Sequence, residues 1–195
     1  MSNALETKRC SKCQQVLSVE EFYGQERSQC KACEKSQKKE YNATFRGKAA
    51  QALNDSRKAV RRVEVEYGVK VEDTLTLHDV LWVLSADECV YCGREVPESE
   101  RSLDHITPIR YGGSNSFSNV TCACRACNSA KCDLPAITYM LQSCDTLQAR
   151  TLIEVISSRS VKPFEETFRE LAEHAKTYYE TKAAEAVERA KQNEQ

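Results

Sequence analysis

The sequence predicts a predominantly helical α+β protein in which two small cysteine-built modules are set among helices. Three observations predict it. Eight of the 11 cysteines fall in four C-x-x-C pairs. Apolar residues recur at helical spacing across much of residues 34–67 and again after Leu134. Between these helical stretches, the run around Leu103-Asp104-His105, followed by Pro108 and Gly112-Gly113, reads as a strand leading into a hairpin turn.

Composition bounds the rest. A chain of 195 residues has room for one domain and a small module. At 41% hydrophobic and 29% charged its core is expected to be modest, and Gly 6 with Pro 4 excludes a collagenous or Pro-rich linker protein. The longest apolar run, Val80-Leu81-Trp82-Val83-Leu84, falls far short of the roughly 20 residues that span a bilayer. The opening residues Met1 to Glu6 lack the apolar stretch of a secretory signal, so a cytosolic location is expected. A reducing compartment disfavours disulfides, and an odd cysteine count cannot pair fully within one chain. The paired spacing points to metal instead.

Residues 8–33 read as the first module. Cys10 and Cys13 form one knuckle and Cys30 and Cys33 the other, with 16 residues between them. Two thiolates two residues apart supply half of a tetrahedral zinc site, and the second pair completes a four-cysteine set. So short a segment buries little, so metal would supply the folding energy. Val16, Leu17, Val19, Phe22 and Tyr23 are its expected apolar cluster, and Ser18 with Glu21 reads as a capping box.

Residues 34–67 read as helix, broken near Gly47, with a narrow stripe of Leu53, Ser56, Val60, Val63 and Tyr67. The net charge of −1 conceals an asymmetry here. Residues 31–62 hold 10 Lys and Arg against 3 Asp and Glu, a local +7, whereas residues 63–195 carry −8. A basic segment with so few balancing acids predicts a polyanion contact, and Lys58, Arg61 and Arg62 are the residues expected to make it on nucleic acid. Gly68 is expected to stop the helix. Thr76 and Asp79 then open a short helix in which His78 is a surface histidine and Trp82 a packing residue.

The second pair of knuckles, Cys89/Cys92 and Cys124/Cys127, is separated by 31 residues. That gap is too long for a bare ribbon loop, so it should hold something. It contains Asp104-His105, Pro108, Gly112-Gly113 and Asn119, and Asn128 and Lys131 follow the second knuckle. These are parts suited to phosphodiester hydrolysis. Histidine can be a neutral base near physiological pH. Asp104 and Asn128 offer hard oxygens suited to Mg²⁺ or Mn²⁺, and a cation can stabilise the leaving oxygen. Asn128 and Lys131, three apart, share a helix face, so Lys131 is a further candidate DNA contact.

Residues 89–133 closely resemble the HNH endonuclease family, through the Asp104-His105-Ile106-Thr107-Pro108 run, Gly112-Gly113, Asn119 before a short strand, and the Cys124 to Lys131 end. The resemblance implies a ββα-metal core braced by a structural zinc on Cys89, Cys92, Cys124 and Cys127. It implies His105 as general base, Asp104 and Asn128 as ligands of a catalytic divalent ion, and Asn119 as the residue that fixes the loop. Asn at position 128 makes this the HNN variant. Residues 8–42 bear a looser likeness to zinc modules of phage and bacterial nucleases. Asp104 and His105 are adjacent, and adjacent strand residues face opposite ways, so a twist or bulge is expected if both reach one ion.

The expected organisation is therefore a four-cysteine zinc module at 1–42, a basic helical segment and connector at 43–85, the nuclease core at 86–134 and C-terminal helices at 135–195. In the last part Ile137, Met140, Leu141, Cys144, Leu147 and Leu152 follow helical spacing, Asp145 with Gln148 reads as a helix restart, and Phe164, Phe168, Leu171 and Tyr178 form a second stripe. Two structural Zn²⁺ and one Mg²⁺ or Mn²⁺ are the expected cofactors. Double-stranded DNA is the expected partner, and a second copy of the chain is a further one. The family implies a cytoplasmic enzyme of bacterial or phage origin that leaves 5′-phosphate and 3′-hydroxyl ends, in restriction, homing or phage DNA processing. The competing classes are a zinc-stabilised DNA-binding protein without turnover and a structural adaptor with no nucleic-acid partner.

Overall fold

The computed structural model describes residues 6–143 and 146–193; the expectations placed on Cys144 and Asp145 lie outside the described residues. The fold is α+β and mostly helical, with two separate two-stranded sheets. It divides into two compact units, residues 1–48 and 49–195.

In the first unit, strands β1 (Thr7–Arg9) and β2 (Val16–Ser18) pair antiparallel, and the first knuckle forms the turn between them. Ser18 Oγ accepts from Glu20 N at 3.4 Å and opens a 3-10 turn over Val19–Glu21. The expected box with Glu21 does not form there, because a three-residue turn ends before a reciprocal bond can close. The hydrophobic cluster of this unit consists of buried Cys10, Phe22 and Cys30, with Leu17 and Cys33 packed against them. Val16 and Tyr23, expected in this cluster, are exposed. Tyr23 follows buried Phe22 and faces the other way, with the Lys31 ammonium 5.7 Å from its ring centre. Helix α1 (Lys31–Ala43) starts at the second knuckle and buries none of its residues.

The helical stretch breaks at Thr44, earlier than the expected Gly47. Thr44 Oγ1 donates to the Tyr41 carbonyl at 2.7 Å and accepts from Gly47 N at 3.0 Å, ending α1 and capping α2 (Phe45–Tyr67). Gly47 has a different role. A Cβ there would lie 1.9 Å from the Tyr41 carbonyl oxygen, so its missing side chain permits the close approach.

In the second unit, Leu53, Ser56, Val60 and Val63 of α2 are buried as a stripe, while Tyr67 at its end is exposed with the Arg110 guanidinium 4.5 Å from its ring centre. Gly68, at φ +66, takes the left-handed conformation that ends the helix. Thr76 and Asp79 form the full capping box of α3 (Leu77–Leu84), which buries Val80, Val83 and Leu84. His78 is exposed, and Trp82 meets Phe117 edge-on at 5.3 Å.

Strands β3 (Arg101–His105) and β4 (Val120–Cys124) pair antiparallel, and α4 (Arg125–Lys131) leaves β4 directly. Helices α5 (Ala136–Ser143), α6 (Thr146–Ser160) and α7 (Phe164–Asn193) follow. The core joins Tyr91, Val96, Ile106 and Ala123 to Met140, Leu152, Ile153, Ile156 and Leu171. Leu141, Leu147 and Phe168 share the helical spacing but are exposed, Leu141 at 72%. The core-facing arcs of these helices are already filled by their neighbours. Among the described residues, no helix is long and apolar enough to cross a membrane.

Candidate active site and its cysteine braces

Two sulfur clusters are in place. Within each of the groups Cys10/Cys13/Cys30/Cys33 and Cys89/Cys92/Cys124/Cys127, the four Sγ atoms lie within 4.8 Å of one another. A tetrahedral zinc with Zn–S of about 2.3 Å sets its sulfurs about 3.8 Å apart, and Cys13 Sγ and Cys30 Sγ are 4.0 Å apart. The electrostatics also favour a cation. Backbone N–H groups of Cys13 and Cys30 aimed at Cys10 lower its thiol to about 6. Burial raises Cys124, but the Cys127 N–H and the Arg94 guanidinium outweigh it and bring that thiol to about 6. The crowded partner Cys33 is pushed up to about 12, chiefly by Cys30. One sulfur in such a cluster ionises readily and another resists, a conflict that a divalent ion removes. Both groups therefore have the donors and the spacing to hold zinc. Cys122 stands apart: it is buried, its Sγ faces the Ala86 carbonyl at 3.6 Å, and burial pushes its thiol up to about 11.

The second sulfur cluster ties the start of the domain to the β4–α4 junction, and the β3–β4 hairpin lies between. Its register runs without interruption from Arg101↔Cys124 to His105↔Val120. The expected bulge at Asp104-His105 is absent from the ladder, so the two side chains leave by opposite faces. On one face, Asp104 is buried and accepts at both oxygens, from Tyr91 Oη at 2.5 Å and from Lys131 Nζ at 3.1 Å. Lys131 also donates to the His105 carbonyl at 2.9 Å and is 1% exposed. This corrects its reading as a surface phosphate contact: the ammonium is spent on the hairpin. On the same face, Asn128 Nδ2 donates to Ser102 Oγ at 3.2 Å.

On the other face, His105 Nε2 lies 2.9 Å from Asn115 Oδ1, and Asn115 Nδ2 donates to Asp73 Oδ1 at 2.7 Å. Burial pushes the imidazole below its ordinary range, with the Asn115 bond opposing, which favours the neutral ring. Asn119 closes the loop that follows. Its Oδ1 accepts from Thr107 N at 2.9 Å, and its Nδ2 donates to the carbonyls of Thr107 at 2.9 Å and Ser114 at 2.7 Å. Gly113 fits inside this loop only because it lacks a side chain, since a Cβ would lie 1.9 Å from the Thr107 carbonyl oxygen. Thr107 Oγ1 meets His174 Nδ1 from α7 at 3.1 Å.

The structure thus brings Asp104 to Lys131 and Tyr91, Asn128 to Ser102, and His105 to Asn115. It does not gather Asp104, His105 and Asn128 through mutual contacts. The donor types suit a hard cation, yet both carboxylate oxygens of Asp104 already accept hydrogen bonds, so a cation there would have to share or replace them. Sequence reasoning misses Tyr91, Asn115, Asp73 and His174. Tyr91 sits inside a knuckle, and Asn115 follows the glycine pair, but nothing in the spacing marks Asp73 or His174. Lys58, Arg61 and Arg62 are exposed on α2, where Lys58 pairs with Asp55 at 2.8 Å.

This is the geometry of a cysteine-braced hairpin and helix with a histidine at the strand end. Residues 89–135 match the family model of the HNH endonuclease. Among solved structures, the Type II-C Cas9 enzyme from Actinomyces naeslundii is similar at 20% identity and a TM-score of 0.35, over 74% of this chain and 14% of that one. The chain thus spans 14% of the length of that enzyme. No curated protein matches the chain.

Proposed function

We propose that the chain is a metal-dependent endonuclease that hydrolyses DNA phosphodiesters to 5′-phosphate and 3′-hydroxyl ends. The observation that carries the reading lies inside the matched segment. A half-buried histidine stands at a strand end, held through one ring nitrogen by Asn115, beside a loop pinned by Asn119.

His105 takes the proton from a water as it attacks phosphorus, and the bond to the 3′-oxygen breaks. Asn119 holds the loop, so the imidazole does not reorient at each turnover. Asp104 and Asn128, on one face of β3, are the residues that would hold Mg²⁺ or Mn²⁺, with the bonds from Lys131 and Tyr91 to Asp104 displaced, and the ion would supply charge stabilisation at the leaving oxygen. His105, on the other face at the strand end, would have to reach the same phosphate around that end. Two structural zinc ions complete the cofactor set. Lys58, Arg61 and Arg62 contribute non-specific phosphate contacts with duplex DNA.

The test is plasmid cutting by the zinc-loaded chain with Mg²⁺ or Mn²⁺. His105→Ala should lose at least about 100-fold in rate while retaining DNA binding. Replacing Lys58, Arg61 and Arg62 together by Ala should weaken binding and flatten its salt dependence by up to about 0.9 per lost phosphate contact. No cutting with either ion would remove the enzymatic reading. One observation favours a second reading, a zinc-stabilised DNA-binding protein without turnover: the carboxylate of Asp104 is neutralised by buried Lys131. That reading predicts salt-sensitive retention of DNA and no cleavage with any divalent ion.

A further inference from the structure

Asp73 lies outside the matched segment 89–135, yet it stands at the end of a hydrogen-bonded chain that reaches His105. The chain has a direction. An ionised carboxylate can only accept hydrogen bonds, so the Asn115 amide must turn its Nδ2 to Asp73, at 2.7 Å. Its Oδ1 then faces His105 Nε2 at 2.9 Å and can only accept. His105 Nε2 must therefore carry the hydrogen, which leaves Nδ1 as the bare nitrogen with a lone pair.

The middle member is held firmly enough to enforce this. Asn115 is 0% exposed. Its N–H donates to the Glu72 carbonyl at 2.8 Å, and its carbonyl accepts from Thr74 N at 3.0 Å and Leu75 N at 2.9 Å. Asp73 in turn lies 3.9 Å from Arg57 Nε, and Arg57 Nη2 donates to the Leu75 carbonyl at 3.1 Å. The segment 72–75 is thus a clamp on Asn115 that is itself tied to α2. Flipping the amide would set its oxygen against the Asp73 carboxylate, two acceptors facing each other.

We infer that Asp73 and Asn115 are positioning residues that lock His105 in the Nε2–H tautomer and so present Nδ1 as the proton-accepting atom. The inference rests on the reading of His105 as the base. It extends that machinery to a residue more than thirty positions upstream, beyond the segment that carries the family pattern.

The tautomer can be read without any cleavage assay. Long-range ¹H–¹⁵N correlation spectra of the zinc-loaded chain, labelled on histidine and recorded above pH 8, report which ring nitrogen bears the hydrogen. Signals are assigned with His78→Gln and His174→Gln. The expected result for His105 is Nε2–H alone. Asp73→Ala should give a mixture of tautomers and slow plasmid cutting by about tenfold with DNA affinity unchanged. Asp73→Asn, whose amide oxygen still accepts from Asn115 Nδ2, should restore the single tautomer and most of the rate. A His105 that carries its hydrogen on Nδ1, or shows both tautomers in the unaltered chain, overturns the inference whatever the variants do. An unchanged tautomer and rate in folded Asp73→Ala also overturns it. A locked tautomer that Asp73→Ala scrambles, in a chain that never cuts DNA, upholds the lock and defeats the nuclease reading instead.

Discussion

The two four-cysteine groups have the same donors and the same C-x-x-C spacing within each knuckle, but they stand in different surroundings. The N-terminal group makes up most of the hydrophobic cluster of its unit: Cys10 and Cys30 are two of its three buried members, and Phe22 is the third. In the second group Cys89 and Cys124 are two buried members of a much larger core that includes Tyr91, Val96, Met140, Leu152 and Leu171. One motif thus has two thermodynamic roles. In the first unit the metal would be the core, since so few apolar contacts cannot offset the entropy of ordering the chain. In the second it would align a hairpin with a helix inside a domain that has its own packing.

The largest effect should come from removing metal. A strong chelator should abolish amide dispersion over residues 6–33, where metal coordination supplies about 10 kcal/mol or more, while the second unit keeps a cooperative, weaker melting transition. NMR spectra before and after chelation measure both. Equal loss in the two units would erase the contrast. A smaller effect should separate buried from exposed charge pairs in the second unit. Lys131→Met removes the partner of buried Asp104 and should cost about 3 kcal/mol in chemical denaturation. Lys58→Ala breaks the exposed pair with Asp55 and should cost under about 0.5 kcal/mol.

The smallest effect concerns pH. Burial lowers His174 below its ordinary value of 6.5, so the fold favours the neutral ring. Its contribution to stability is present above pH 6.5 and is lost as pH falls through the depressed folded value. The melting temperature of the second unit should therefore fall on acidification, and His174→Gln should lessen the fall. An unchanged pH profile in that variant would place the sensitivity elsewhere.

Much of this molecule is legible in the sequence because its signals are local. The four C-x-x-C pairs, the Thr76–Asp79 box and the stop at Gly68 each depend on residues within a few positions of one another. The stripe on α2 is legible for the same reason, as helical periodicity shows one face whatever that face packs against. The break at Thr44 is hidden because a glycine in a helical run reads as a breaker, whereas a threonine hydroxyl capping three residues ahead leaves a weaker mark. Val16 is misread as buried because a three-residue strand is too short for alternation to show which side faces inward, and Tyr23 because it lies beyond the 3-10 turn, where the extended chain at Phe22 turns only one of the two rings inward.

By itself the sequence determined the sulfur clusters, the helices and the identities of Asp104, His105, Asn119 and Asn128, since short-range spacing and residue chemistry suffice for these. Only the tertiary structure decided what those side chains touch. It sent Lys131 inward to Asp104, kept the hairpin ladder unbroken so that Asp104 and His105 part to opposite faces, and brought Asp73 to Asn115 and His174 to Thr107. Such contacts join positions far apart along the chain, and no periodicity or local propensity encodes them. They arise when a buried polar atom must find a partner within reach, and packing settles which partner that is.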